Sequence, residues 1–347
     1  MAYIQTVSGK IAPEALGITM MHEHLIWDQT VYLKQRTKAS EEETFLEQPL
    51  CIENLQKTRY YHLHDHRDNV IQYNMQDAAD EVQRYKIAGG CSMVDCSCLG
   101  IARDPMIDLE VSQKTGVQVI MATGLYINGS CPQTHILNRN EKTALFIKEL
   151  EQGIDDTQIK AGVIGELGVS ESFPECEQQT LAAAARAQAE TGAAILIHQP
   201  GLMKIGHDIL DILDDNGGNR RKTVLCHCDS LCDDILYLIR LLDRGVVLSF
   251  DQFGLECRIN ISGYRGLWLP RDIERIRAIA RLCELGYSRQ IVLSQDLCFK
   301  TCYVKYGGGG YAHILSNMLP IMRDEGILES AIHRMLVENP SRILAFP

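Results

Sequence analysis

A chain of 347 residues that is 46% hydrophobic can bury a large core, either as one (β/α)8 barrel with insertions or as two ordinary domains. Its net charge of −11 argues against nucleic acid and anionic membrane surfaces as partners, because phosphate-dominated binding needs a basic stripe. No segment approaches the roughly 20 apolar residues of a membrane span, and residues 1–10 lack a signal-peptide pattern, so a small-molecule substrate is the better expectation.

In chain order, residues 4–11 with Gly9 at the turn predict a short hairpin ahead of the first strand. Apolar runs that each close on a polar residue or glycine follow at 17–24, 91–96, 117–123, 161–166, 193–198, 223–228, 246–251 and 291–296. Helical periodicity covers 70–88, 105–114, 141–151, 176–191, 204–214, 230–244 and 271–285, with 311–323 and 328–337 after the last strand. Strands alternating with helices in this way predict one α/β domain over residues 1–347, a closed (β/α)8 TIM barrel. The segment 27–68 is charged, lacks a clear period and is far longer than an ordinary βα loop. It is expected to fold over the barrel mouth as a lid or substrate-contact element. The thirteen cysteines have no regular disulfide framework and read as reduced thiols of a cytoplasmic protein.

Residues two apart on a strand, roughly 6.6 Å, share a face, so His22 and His24 point the same way and can both donate ring nitrogens to a divalent cation. Strand four closes on Glu166, strand five on His198, strand six on His227 and strand eight on Asp296. Each is a metal-ligand residue type at the catalytic face of a barrel. Burying four imidazoles and two carboxylates together is costly unless cations or hydrogen bonds compensate them, so a metal site explains the set better than packing does. Cys226 and Cys228, flanking His227, are expected to face the helix layer as small hydrophobes.

These residues resemble the phosphotriesterase family of the amidohydrolase superfamily, in which four histidines and an aspartate hold two divalent metals. The resemblance spans nearly the whole chain. It runs from Gly9-Lys10-Ile11-Ala12-Pro13-Glu14 and Leu16-Gly17-Ile18-Thr19 through His22-Glu23-His24 and Ala161-Gly162-Val163-Ile164-Gly165-Glu166-Leu167-Gly168. It continues in Ile197-His198, Cys226-His227, Ser294-Gln295-Asp296 and Glu338-Asn339-Pro340. Organophosphate-hydrolysing members carry a carboxylated lysine at the end of strand four. Here Glu166 stands there, and Lys160 lies at the opposite end of that strand. The resemblance therefore implies a phosphotriesterase-related branch with a glutamate bridge. His22, His24 and Asp296 would hold one metal, His198 and His227 the other, with Glu166 and a hydroxide between them. Asp296 would also accept the proton of the attacking hydroxide. Zinc suits this ligand set best, while manganese, cobalt or iron can occupy similar sites.

Substrate contacts are expected from loops after the strands. Tyr126 follows strand three at a position that faces the site in relatives, where a core or rim tyrosine fits equally. Asp251 ends strand seven, where a polar contact or a turn fits equally. Arg258 and Arg265 are candidates for a substrate anion, and the glycine run at 307–310 could cradle one with Lys300 or Lys305. His62, His64 and His66 read as surface or lid packing. The expected reaction is hydrolysis of a lactone or carboxylic ester, a phosphorylated sugar lactone included, because glutamate-bridged relatives act poorly on phosphotriesters. The alternative is hydrolysis of an N-acyl amine, with phosphotriester hydrolysis and mononuclear deamination less favoured. A barrel that only binds a ligand would leave the assembled ligand set without a task. The sequence leaves the oligomeric state open, a homodimer included.

Overall fold

Each of the eight apolar runs forms a parallel strand in the computed structural model, which describes residues 2–35, 44–259 and 267–347. The strands are β1 (Thr19–Glu23), β2 (Ser92–Asp95), β3 (Gln118–Thr123), β4 (Val163–Gly168), β5 (Ala194–His198), β6 (Thr223–Leu225), β7 (Val247–Phe250) and β8 (Ile291–Leu293). Each pairs with the next in chain order, as a repeated βαβ unit requires. The first and last meet where the Asp296 N–H donates to the His22 carbonyl (3.1 Å) and the His22 N–H to Ser294 Oγ (2.9 Å). The result is a (β/α)8 TIM barrel.

Alternation along the strands sorts their side chains into two cores. Met21, Val94, Ile120, Val163, Leu196, Val224, Val247 and Val292 fill the barrel, with Ile4, Leu16, Ile343 and Leu344 packed beneath them. Met20, Met93, Val119, Ile195, Leu225 and Leu248 pack on the surrounding helices. The N-terminal hairpin forms as expected, Ile4–Thr6 against Gly9–Ile11.

Three departures from the sequence reading have local causes. Helical structure expected from residue 70 starts instead at Met75, because Asn74 caps the Gln76 and Asp77 amides. Ahead of it, Ile71–Gln72 pairs with Trp27–Asp28. The insertion after β1 contains a helix, Ile52–Tyr61, whose start is closed by the Cys51 and Asn54 side chains and which buries only Asn54 and Thr58. So little burial leaves no apolar period to read. The closing helices each carry a widened turn, Ile314–Met318 and Arg334–Glu338, just ahead of Pro320 and Pro340. Proline lacks an N–H and its ring crowds the carbonyl four residues back, so the ladder opens there.

The insertion is fastened over the mouth of the barrel. The Arg59 guanidinium donates to the Thr301 (2.7 Å) and Tyr306 (2.9 Å) carbonyls, and Lys300 Nζ meets Asp68 Oδ1 at 2.5 Å. Leu63 and Val70 join Leu255, Leu269, Cys298 and Phe299 in a third apolar cluster, apart from the two cores. Among the described residues no helix is long and apolar enough to cross a membrane, and all thirteen cysteines are unpaired.

Candidate metal centre

Strict alternation would set His22 on the side of Met20, and Glu166 on the side of Ile164, both toward the helices. A register shift between Met20 and Glu23 in β1, and another between Ile164 and Leu167 in β4, turn these side chains toward the mouth. After β6 the backbone makes the turn. Cys226 lies inside the barrel with Met21 and Val224, and His227, at φ +59°, swings its ring back to the mouth. The expectation that both flanking cysteines face the helices therefore fails for Cys226, while Cys228 does join the helix-side core. Asp296 has φ +48°. A positive φ at a non-glycine residue costs about 1–3 kcal/mol. Of the five described residues that carry it, His227 and Asp296 belong to this one cluster.

Glu166 is the hub. Its Oε1 lies 3.5 Å from His24 Nε2, and its Oε2 lies 3.3 Å from His22 Nε2, 3.2 Å from His198 Nδ1 and 3.7 Å from His227 Nε2. Asp296 Oδ1 faces His24 Nε2 at 3.2 Å and His22 Nε2 at 3.6 Å. All are buried except His198, which is partly open to solvent. Burial pushes the Glu166 carboxyl up, but the facing His22 and His198 rings outweigh it and hold the group well below the usual carboxylate range.

The outer nitrogens fix the tautomers. Asp251, at the end of β7 and fully buried, accepts from His22 Nδ1 (3.2 Å), His227 Nδ1 (2.9 Å) and the His227 backbone N–H (2.9 Å). Burial opposes its charge, yet the two imidazoles hold its carboxyl far below the ordinary value. Ser97 Oγ spends its hydrogen on the Ile26 carbonyl (2.8 Å) and so accepts from His24 Nδ1 at 3.1 Å. Three rings therefore keep a hydrogen on Nδ1 and turn Nε2 inward, the nitrogen each would offer to a cation. His198 is reversed: Nδ1 faces the centre, 2.8 Å from His227 Nε2, and Nε2 lies 3.4 Å from Tyr126 Oη.

Glu23, between the two histidines, binds the strand opposite. Its Oε1 accepts from Ser294 Oγ (2.7 Å) and the Gln295 N–H (2.8 Å), and its Oε2 from the Leu297 N–H (3.1 Å). Burial raises its carboxyl to about 7. Its position in His22-Glu23-His24 was the available signal for this role. Ser97 and Tyr32 gave none, because only the folded chain brings them to the site.

Beside the cluster opens a cavity of about 320 Å³, within the size range of small-molecule sites. Glu166, His198, His227 and Asp296 form its floor, with Tyr32, Tyr126, His64 and Phe299 among its walls. Tyr126 is thus placed at the site. His64 packs edge-on to Phe299, with ring centroids 4.9 Å apart, and lines the cavity. Arg258 sits on a two-residue strand, half-buried and outside the cavity lining. Lys300 is turned to Asp68, and Lys305 pairs with Asp77 at 2.9 Å. Gly307, Gly308 and Gly309 line a separate cavity with Arg59 and His313. Arg265 lies outside the described residues.

The donor set fits divalent cations. His22 Nε2 is buried without a hydrogen-bond partner, and the inward-facing His198 Nδ1 and His227 Nε2, 2.8 Å apart, are both nitrogens that a cation can take as ligands. Ligand atoms of His22, His24 and Glu166, and again of Glu166, His198 and His227, lie within 4.8 Å of one another. Glu166 belongs to both groups. Nitrogen and carboxylate ligands of this kind suit zinc and its first-row neighbours.

A barrel whose strand ends gather histidines and carboxylates beside a small-molecule cavity defines a class, the hydrolases that activate water at the C-terminal mouth of a (β/α)8 fold. The phosphotriesterase family profile matches residues 2–344, and the chain belongs to that family. Among its relatives, the N-acetyltaurine hydrolase of Dictyostelium discoideum is 34% identical over 371 residues, covering 98% of this chain and 97% of the relative. The N-acetyltaurine hydrolase of Salmo salar is 33% identical over 344 residues, with 99% and 98% covered. A crystal structure of a resiniferatoxin-binding protein from Rhodobacter sphaeroides superimposes with a TM-score of 0.95 at 36% identity, covering 99% of this chain and 94% of that one.

Proposed function

We propose that this hydrolase cleaves the amide of an N-acyl amine, an N-acylated aminoalkyl acid such as N-acetyltaurine being the first substrate to test. The observation that carries the reading is the Glu166 carboxylate, ionised and set between the inward nitrogens of four histidines. In this reading His22, His24 and Asp296 would hold one divalent ion and His198 and His227 a second, with Glu166 in the place of the carboxylated lysine. Lys160 precedes β4 by three residues, 160 against 163, at the end away from the mouth. Ions held there would supply Lewis acidity that lowers the pKa of water and polarises the scissile carbonyl.

The chain's own groups do the rest. Asp251 and Ser97 lock three imidazoles in the ligating tautomer. Asp296 lines the cavity and its Oδ1 faces the two β1 histidines, which leaves Oδ2 to take a proton from the attacking water and return it to the departing nitrogen. The amide reading takes precedence over the lactone because two relatives matched end to end are named for an amide substrate.

The test is to reconstitute the protein with zinc or manganese, count metal per chain by elemental analysis, and assay N-acetyltaurine, lactones, phosphorylated sugar lactones and a phosphotriester side by side. Two ions per chain with turnover of the amide are expected. Turnover confined to lactones would reverse the substrate order, and one ion per chain would remove the bridge.

A further inference from the structure

We infer that Tyr32 is a substrate-positioning residue, a hydrogen-bond donor aimed into the cavity at an oxygen acceptor of the bound substrate. The inference rests on the metal-ligand reading of His198, and it begins with that ring's orientation. Its Nδ1 faces Glu166 (3.2 Å) and His227 Nε2 (2.8 Å), so as a ligand it presents the Nδ1 lone pair and carries its hydrogen on Nε2. The acceptor for that hydrogen is Tyr126 Oη at 3.4 Å. A phenol that accepts there turns its own hydrogen elsewhere, and Tyr32 Oη stands 2.7 Å away to receive it.

Each link leaves the next with a single direction. His198 donates to Tyr126, Tyr126 donates to Tyr32, and the Tyr32 hydrogen is left over. Both tyrosines line the cavity beside Glu166, His198 and Asp296, so the spare hydrogen points to where a substrate lies. The Tyr32 ring is held by His64, edge-on with centroids 5.8 Å apart, which restrains the phenol before ligand arrives. A carbonyl, carboxylate or sulfonate oxygen satisfies this donor, whereas an ammonium group does not. Chains of hydrogen bonds polarise one another, so a donor at the end of this one is stronger than an isolated phenol.

Tyr32→Phe, Tyr126→Phe and the double variant test it. Three quantities are compared: KM and kcat on whichever of N-acetyltaurine, a simple carboxylic ester and a lactone the wild type hydrolyses; the calorimetric Kd of acetate; and metal per chain. Tyr32→Phe is expected to raise KM and the acetate Kd about fivefold to tenfold, the worth of one hydrogen bond to a charged or polarised acceptor. Its kcat should stay within twofold and its metal content should be unchanged. Because Tyr126 acts on the substrate only through Tyr32, the double variant should be no worse than Tyr32→Phe alone. An unchanged KM and acetate Kd in Tyr32→Phe, loss of metal in that variant, or additive effects in the double variant would overturn the inference. Wild type that spares the amide but cleaves the ester or lactone defeats the amide proposal alone, and Tyr32 is then judged on that ester or lactone.

Discussion

Replacing Asp251 by asparagine keeps the size and shape of the side chain and changes only what it can accept. The carboxylate takes three N–H groups, two from imidazoles on opposite sides of the cluster, in a spot with no exposure to water. Asparagine offers one oxygen and one NH2, so either His22 or His227 meets a donor with its own Nδ1–H. That ring relieves the clash by moving its hydrogen to Nε2, which removes its lone pair from the centre. Loss of such an outer partner typically costs 10- to 100-fold in metal affinity, or about 1.4–2.7 kcal/mol. Competition with a chelator of known affinity, followed by elemental analysis, reads the change directly. Wild-type metal affinity in Asp251→Asn would refute the tautomer argument.

Three other perturbations follow from the same structure. Arg275 is fully buried between Asp229 Oδ2 (2.8 Å) and Asp272 Oδ1 (2.9 Å), so Arg275→Met leaves the buried Asp229 without its cation, while Asp272 keeps His313 at 2.7 Å, and should lose about 3–5 kcal/mol in urea unfolding; a loss below about 1 kcal/mol would contradict the assignment. Lys300→Ala should leave KM within twofold, because its ammonium is engaged by Asp68, and a tenfold rise would place it on the substrate instead. Stripping metal should lower Tm by several degrees, reversibly on adding zinc, since ligand at about 100 times its Kd stabilises by about 2.7 kcal/mol. A Tm indifferent to chelation would count against a metal in this cluster.

The residues now gathered at the mouth were legible because each ends an apolar strand. His22, His24, Glu166, His198, His227 and Asp296 all lie where the strand count set them. What alternation could not supply was the direction of some side chains. His22 and Glu166 reach the centre through register shifts, and His227 does so through a left-handed backbone that leaves Cys226 inside the barrel. Neither device has a periodic signature. Asp251 was visible as a polar strand end, but its bond to two histidines, 24 and 229 positions away, is a tertiary fact. Tyr32 lies in a segment expected to be a lid or substrate-contact element, with no period to single it out. Lys300, an apparent anion ligand beside a glycine run, is neutralised by Asp68 from that same segment.

Glu23 sits between two histidines of the first strand, yet all three hydrogen bonds of its carboxylate go to residues 294–297, more than 270 positions further on. The cluster is therefore completed only when the last strand docks. A nascent chain can gather the histidines of β1, β5 and β6 early, but it has neither Asp296 nor a closed wall until β8 has been synthesised and clasped. Barrel closure and completion of the site are one event, so a metal held with Asp296 among its ligands would report that the whole barrel has been made.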